Sequence, residues 1–383
     1  MSDIEQKGRR IRVVGVYTAR DALQTGLWRS ALRYLTRVPG CTVARFEPMH
    51  LDLVKSWAPD GAIVHGLSRE ALEVVRGICR FVVNTSGVHG SLPVPSVLPD
   101  NLQVGRMAGE YMLMKGYREF AYIGPQTDYS AKRLAGYQEA IWKVLPGVEV
   151  RQGPRVTADE PKPGQLTPFL AWFDSLPRGT ALFAADDALA FNATEAVRGQ
   201  NWEVLSRVGL ISGHDRDTPS NPLLTGVRMP EDRWGYEAAR MVVDMLRGER
   251  EVTRDLLLPP LGVIERESTT GVATEDRYLL EAVRFIREHA TETIGVEDVA
   301  RAVSLGRRAL ERRFEKYLGR TVLKEIQRMH VEHAKSLLLD TDMSVYAVAL
   351  ESGLTDEKHL RRVMREFAGI TPGEFRRMHR ITK

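Results

Sequence analysis

The chain has 383 residues, 43% apolar and 27% charged, with a net charge of +4. That length calls for two or three domains, and the composition is that of ordinary globular protein with ample material for a core. No apolar run approaches the ~18–20 residues needed to span a bilayer, so no membrane partner is expected. The first segment, MSDIEQKGRRIRVVGVY, is polar, then basic, then strand-like, without the apolar stretch and small-residue cleavage site of a signal peptide, so a cytoplasmic location is expected. Cys41 and Cys79 form no C-x-x-C pair and stand 38 residues apart. A disulfide framework or a cysteine zinc site is not expected, and nothing else in the sequence implies a metal or cofactor.

In chain order, residues 11–268 alternate short apolar runs with amphipathic stretches. The strand candidates are IRVVGVY (11–17), GAIVHGL (61–67), RFVVNTS (80–86), EFAYIG (119–124), TALFAADD (180–187) and VGLISGHD (208–215). Between them, 25–38, 101–116 and 231–248 repeat apolar residues at three and four, the helical period. This alternation predicts an α/β architecture of doubly wound parallel sheets. Several strands end in Gly, Asp or His, and open α/β sheets bind ligands at the carboxyl ends of their strands.

After Ser268 the run STTGVATED (268–276) reads as a linker, and the pattern becomes wholly helical. The expected domains are residues 1–272, a sensor, and 273–383, an all-α module. Residues 276–383 hold 21 Lys and Arg against 17 Asp and Glu, so the chain's entire net positive charge lies there. A basic module beside a neutral one suits a nucleic-acid partner. Helix starts are marked by Ser344, by Thr355 with Asp356 and Glu357, and by Thr371-Pro372 with Glu374 completing a capping box.

Within the module one pattern occurs twice, over 296–319 and 345–369: a short helix, a turn containing Leu305-Gly306 or Gly353-Leu354, and an Arg-rich helix. That is the layout of two helix-turn-helix motifs. In the first Arg-rich helix, Leu310, Phe314 and Tyr317 form the inner stripe. Arg307, Arg308, Glu311 and Arg312 face away, guanidiniums suiting guanine and a carboxylate suiting cytosine. In the second, Leu360, Met364 and Phe367 point inward, Lys358, His359 and Arg362 outward, with Arg361 and Arg365 toward phosphate. Residues 321–340 join the copies as a helix roughly 28 Å long. Two recognition helices about 34 Å apart would enter successive major grooves of one duplex.

The signatures A-L-E-R-R-F-x-x-x-L-G (309–319), A-x-S-L-L-L-D-T-D-M-S-V (334–345) and G-L-T-D-x-x-H-L-x-R-x-M-R-E-F-x-G-I-T-P-x-E-F-R (353–376) resemble the DNA-binding domain of the arabinose-regulator family. The resemblance implies base or backbone contacts at Arg308, Glu311, Arg312, Lys358, His359 and Arg362, and operator DNA as partner. Gly306 departs from the family's usual Ser or Thr cap, and Leu360 and Met364 replace common phenylalanines.

Residues 11–268 resemble the ligand-binding domain of the lactose-repressor and periplasmic sugar-binding family through residues 100–124, 130–140, 181–190, 208–215 and 256–268. This implies a two-lobed, periplasmic-binding-protein-like (type I) sensor with its ligand between the lobes. Bidentate carboxylates and guanidiniums satisfy vicinal sugar hydroxyls, and the family pattern points to Arg133, Asp187 and Asp215, with Asp21 after the first strand as a further candidate. As alternatives, Asp187 is a helix N-cap and Arg133 a surface residue; Trp57, Trp172 and Trp202 could stack on a pyranose or simply pack.

A sugar sensor followed by an arabinose-type reader resembles regulators of pentose catabolism. It implies D-xylose or a related pentose as effector, activation of sugar-catabolism genes, a homodimer, and RNA polymerase as a partner. The rival readings are a sugar-processing enzyme using Asp186, Asp187 or Asp215, for which no G-x-S-x-G, Walker A, G-x-G-x-x-G or H-E-x-x-H motif speaks, a transport-type binding protein, and a regulator sensing a hexose or nucleoside. No catalytic residues are expected.

Overall fold

The computed structural model describes residues 10–17, 22–154, 163–198, 208–215, 224–249, 255–269 and 276–379. The chain divides into two compact units. One comprises residues 1–105, 126–136 and 228–261; the other comprises 106–125, 137–227 and 262–383.

The first unit winds through β1 (Ile11–Val16), α1 (Ala22–Leu35), β2 (Cys41–Phe46), α2 (Leu51–Trp57), β3 (Gly61–Val64), α3 (Arg69–Ile78) and β4 (Phe81–Asn84). Its sheet has the order β2-β1-β3-β4, parallel throughout. Both faces are covered. Ile11 and Val13 pack with Leu27, Ala31 and Val242, whereas Val14 and Val16 pack with Val54, Leu72 and Val75. Past the exposed Arg12 the strand is buried on both sides and has no polar face, which is why VVGV reads as a continuous apolar run. The helix α8 (Glu231–Arg247) lies on α1 at Gly235, where a Cβ would stand 2.0 Å from the Leu27 carbonyl oxygen. Only glycine permits that approach of backbone to backbone. Beside it, Trp234 Nε1–H donates to the Val97 carbonyl at 2.7 Å, tying α8 to the parallel pair β5 (Val97–Pro99) and β11 (Leu256–Leu258).

The second unit repeats the winding. Its strands are β6 (Glu119–Ile123), β7 (Val150–Gln152), β8 (Thr180–Ala184), β9 (Val208–Asp215), β10 (Thr225–Arg228) and β12 (Gly262–Ile264). Their order is β12-β10-β9-β8-β6-β7. The run β7-β6-β8-β9 matches β2-β1-β3-β4, so each sheet reverses its strand order beside its first strand, the switch point where such sheets bind ligands. The helices α4 (Asn101–Met114) and α5 (Asp128–Val144) each contribute residues to both units, and α6 (Pro163–Asp174) and α7 (Asp187–Arg198) follow β7 and β8. In the core of the second unit Tyr137 packs edge-on to Phe120 and tilted against Phe183, and its Oη–H donates to the Ala181 carbonyl at 3.1 Å.

The same unit ends in helices α9 (Arg277–Glu288), α10 (Val296–Ala302), α11 (Arg307–Leu318), α12 (Val322–Asp340), α13 (Val345–Glu351), α14 (Glu357–Ala368) and α15 (Pro372–His379). They form two cores. Leu279, Val283, Val299, Leu310, Phe314, Leu318 and Ile326 make the first; Val331, Leu338, Val348, Leu360, Val363, Met364 and Phe375 make the second. Of these helices α12 belongs to both, with Val322, Ile326 and Met329 in one core and Val331, Ala334 and Leu338 in the other. The inner stripe of α11 closes with Leu318, fully buried, while Tyr317 stays half-exposed. No described helix is long and apolar enough to cross a membrane.

Candidate nucleic-acid interface and sensor site

Each helix-turn-helix is assembled by local chemistry. In the second, Ser344 Oγ accepts from the Ala347 N–H at 3.1 Å and starts α13. The start of α14 falls one residue later than Thr355: Asp356 is the cap, its carboxylate accepting from the His359 N–H at 2.8 Å. Thr371 and Glu374 form the reciprocal box that opens α15. In the first motif Gly306 begins α11 without any side-chain cap. The two turns match in an unexpected way. Gly353 takes a left-handed φ of +71°, and Ser304, at the corresponding place, takes +53°. Serine there does what glycine does in the second copy, whereas Gly306 serves as the extended N-cap.

On the outer faces, Arg308 and Arg312 of α11 and Lys358 and Arg362 of α14 are exposed and enter no ion pair among the described residues. Arg307 is held by Glu297 at 3.0 Å, and Arg361 by Glu357 one turn back. Glu311 points elsewhere. Its Oε2 accepts from the Val322 N–H at 3.1 Å, satisfying an orphan donor at the start of α12. His359 is half-buried, with Nδ1 3.3 Å from Thr355 Oγ1; burial and the neighbouring Arg362 lower its pKa.

In the sensor, Asp215 closes β9 and is buried. Arg266 Nη1–H donates to its Oδ1 and, at 2.7 Å, to the Leu224 carbonyl. Asp187 is the first residue of α7, three residues past the end of β8, which is the parallel neighbour of β9. The cap of α7 is Asp186, whose Oδ1 accepts from the Leu189 N–H at 2.9 Å, so Asp187 is not needed for capping. Arg133 lies in the first unit, 6% exposed rather than on the surface; its Nε–H donates to Asn101 Oδ1 at 2.9 Å and its guanidinium stands 5.1 Å from the Tyr129 ring centroid. Asp21 and Trp202 lie outside the described residues, as does the expected boundary near 272. Trp57 packs edge-on to Phe46 and Trp172 against Phe169. Among the described residues no group of three His, Cys, Asp or Glu is placed to hold a metal.

Sequence reasoning did not foresee the junction after β12. Glu265 receives Lys115 at 3.0 Å, Arg328 at 3.2 Å, and Arg287. Arg328 also binds Glu325 at 2.6 Å, Arg320 binds Glu325, and Arg320 reaches the Met114 carbonyl. Glu265, Glu325, Lys115 and Arg328 have side chains at most 6% exposed. Two buried carboxylates thus face four cations. The surrounding charges hold Glu265 well below the usual carboxylate range and bring Glu325 to about 2, against the opposing pull of burial. Next along the chain, Ser268 accepts from the Thr225 N–H at 2.8 Å and donates to the Leu210 carbonyl at 2.6 Å.

Residues 110–269 match the model of a periplasmic binding protein-like domain, and residues 299–378 that of a helix-turn-helix domain. The xylose operon regulatory protein of Escherichia coli is 27% identical over 339 residues, covering 85% of this chain and 86% of the relative. That of Haemophilus influenzae is 26% identical over 341 residues, covering 85% and 87%. This chain is a DNA-binding transcription regulator. It resembles the xylose operon regulators along most of its length, with a sugar-sensor domain ahead of the DNA reader, and these relatives are regulators rather than enzymes. A solved structure of a xylose-binding transcription activator superposes with a TM-score of 0.60 at 24% identity, over 97% of this chain and 99% of that one, and carries the same fold.

Proposed function

We propose that the regulator responds to D-xylose or a related pentose and activates sugar-catabolism genes as a cytoplasmic homodimer that contacts RNA polymerase. Its division is a sensor over 1–272 and a reader over 273–383. Arg133, Asp187 and Asp215, with Asp21, bind sugar hydroxyls; carboxylates at the ends of adjacent parallel strands suit vicinal hydroxyls through charge-assisted hydrogen bonds. Arg308, Arg312, Lys358 and Arg362 contact operator DNA directly, while Arg307 and Arg361 reach phosphates by exchanging their intrahelical or neighbouring carboxylates. Glu311 and His359 act at the edge of the interface, the first by fixing α12 against α11.

The observation that carries this reading is that α12 is shared by two separate helix-turn-helix cores. At 19 residues it is roughly 28 Å long, a length that with side chains and flanking turns suits recognition helices set about 34 Å apart for successive major grooves. Ligand shifts DNA affinity only through its differential affinity for two states of the sensor. The test is fluorescence anisotropy on promoter DNA upstream of a pentose-catabolism operon, with and without D-xylose, alongside calorimetry with a panel of pentoses, hexoses and nucleosides. DNA affinity that changes with D-xylose supports the reading; binding of a hexose or nucleoside in its place replaces the effector, and no response to any sugar refutes the sensing role.

A further inference from the structure

The junction places two neighbouring residues on opposite duties. Arg266 grips Asp215, a residue argued above to bind sugar, and is fixed by the Leu224 carbonyl. Glu265, one residue earlier, is buried among Lys115 of the sensor and Arg287 and Arg328 of the reader. The backbone joining them is not slack. Thr225 Oγ1 accepts from the Arg266 N–H at 2.8 Å and donates to its carbonyl at 2.9 Å, and Ser268 and Thr269 bind Thr225 as well.

On the reader side the contact falls on one half only. Arg287 belongs to α9, Arg320 to the loop after α11, and Glu325 and Arg328 to the first half of α12. The backbone itself closes in: at Gly116 a Cβ would stand 2.4 Å from the Tyr317 carbonyl at the end of α11. None of these residues belongs to the second core, which is joined to the first by α12 and by the loop after α9, where Thr293 Oγ1 donates to the Gly353 carbonyl at 3.2 Å.

We propose that Glu265 and Arg266 are positioning residues that couple the sugar site to the first helix-turn-helix, which carries the second with it through α12 and the Thr293–Gly353 contact. This rests on the reading of Asp215 as a sugar ligand. When sugar hydroxyls donate to the Asp215 carboxylate they compete with the Arg266 guanidinium. A shift of Arg266 is passed through the held backbone to Glu265. Three cations converge on that one carboxylate, so it cannot move without Arg287 and Arg328, and with them α9 and α12. Allosteric coupling means a change in the equilibrium affinity of one site on occupation of the other, and a contiguous set of contacts becomes a demonstrated pathway only when breaking it uncouples the sites.

The experiment uses the full chain with D-xylose and promoter DNA. Glu265→Gln keeps the shape and removes the charge; Arg287→Met, at the more exposed edge of the cluster, is the milder variant should the first fail to fold. For each, calorimetry gives the sugar affinity and anisotropy gives the ratio of DNA affinities with and without sugar. The expected result is sugar affinity within about threefold of wild type and a cooperative unfolding transition, lowered but above the assay temperature, for Arg287→Met, with the sugar-dependent ratio cut at least about threefold toward unity in every variant that folds. A full wild-type ratio in a folded variant overturns the relay while leaving the sensing role intact. A wild-type chain that binds DNA but whose affinity no sugar of the panel changes overturns the sensing role itself, and the relay with it.

Discussion

Gly353 offers the sharpest perturbation of the reader. Replacing it with alanine puts a Cβ on a residue at φ +71°, a left-handed conformation that costs an L-residue about 1–2 kcal/mol. The new carbon would also stand 2.4 Å from the Glu292 carbonyl oxygen and 2.9 Å from His330 Nε2. The first contact is to backbone and cannot be relieved by a rotamer change, so overpacking adds roughly 1–2 kcal/mol more. Together Gly353→Ala should destabilise the second helix-turn-helix by about 2–4 kcal/mol. Hydrogen exchange of the full chain reads this locally: amides of α13 and α14 should exchange about 30- to 1000-fold faster, at tenfold per 1.4 kcal/mol, while α11 keeps its protection. The matching change in the first motif, Ser304→Gly, relieves the strain at φ +53° and should leave α11 as protected or better. Unchanged exchange in Gly353→Ala, or equal acceleration of α11 in Ser304→Gly, would refute the reasoning.

Four further outcomes are expected. Arg308→Ala, Arg312→Ala and Arg362→Ala should each weaken promoter binding, those that read bases by about 1–3 kcal/mol with relaxed specificity, those that meet phosphate by lowering the salt slope by about one, as titrations at several salt concentrations would show. Asp215→Asn should lower sugar affinity at least about tenfold in calorimetry, because a charged acceptor becomes a neutral one, whereas Asp186→Ala should cost about 1 kcal/mol of stability as a lost cap and leave the sugar chemistry in place. Gly235→Val should destabilise the first unit by several kcal/mol, since its backbone contact with Leu27 cannot open without separating α1 from α8, and chemical denaturation would register it. Burial lowers the His330 pKa to about 4 from the ordinary 6.5, helped by His359 and His333. The unfolded chain therefore takes a proton first as pH falls, so reader stability should be level above pH 6.5, drop by up to about 3 kcal/mol between 6.5 and 4, and lose this drop in His330→Leu.

The parts of this molecule that were legible in its sequence are those with local causes. Strands buried on both faces announced themselves as apolar runs, and Asp215 was readable because it ends one of them. Ser344, Thr371 and Glu374 cap helices three residues away, so spacing alone exposed them. Asp356, rather than Thr355, starts α14 because its carboxylate reaches the His359 N–H directly, a choice between adjacent capping residues that composition does not resolve. Ser304 was invisible as a turn residue because nothing in its type signals a left-handed backbone; the tertiary packing of the first core imposes it.

Glu265 shows why the coupling was harder to see than the sites it joins. It stands in the run VIEREST, where a glutamate beside an arginine reads as a solvated pair, yet its partners lie 22, 63 and 150 residues away. No period or motif links such positions; only the fold brings Lys115, Arg287 and Arg328 to one carboxylate. The cluster is also a poor way to gain stability, since buried ion pairs lose much of their Coulombic gain to desolvation and breaking one by removing a partner typically costs about 3–5 kcal/mol. An apolar plug of the same volume would hold sensor and reader together equally well, but it would tolerate sliding. Paired charges and their hydrogen bonds demand direction, so each displacement of the Glu265 carboxylate is resisted by three cations on two sides of the junction. A regulator needs that directional grip, and a mere tether does not.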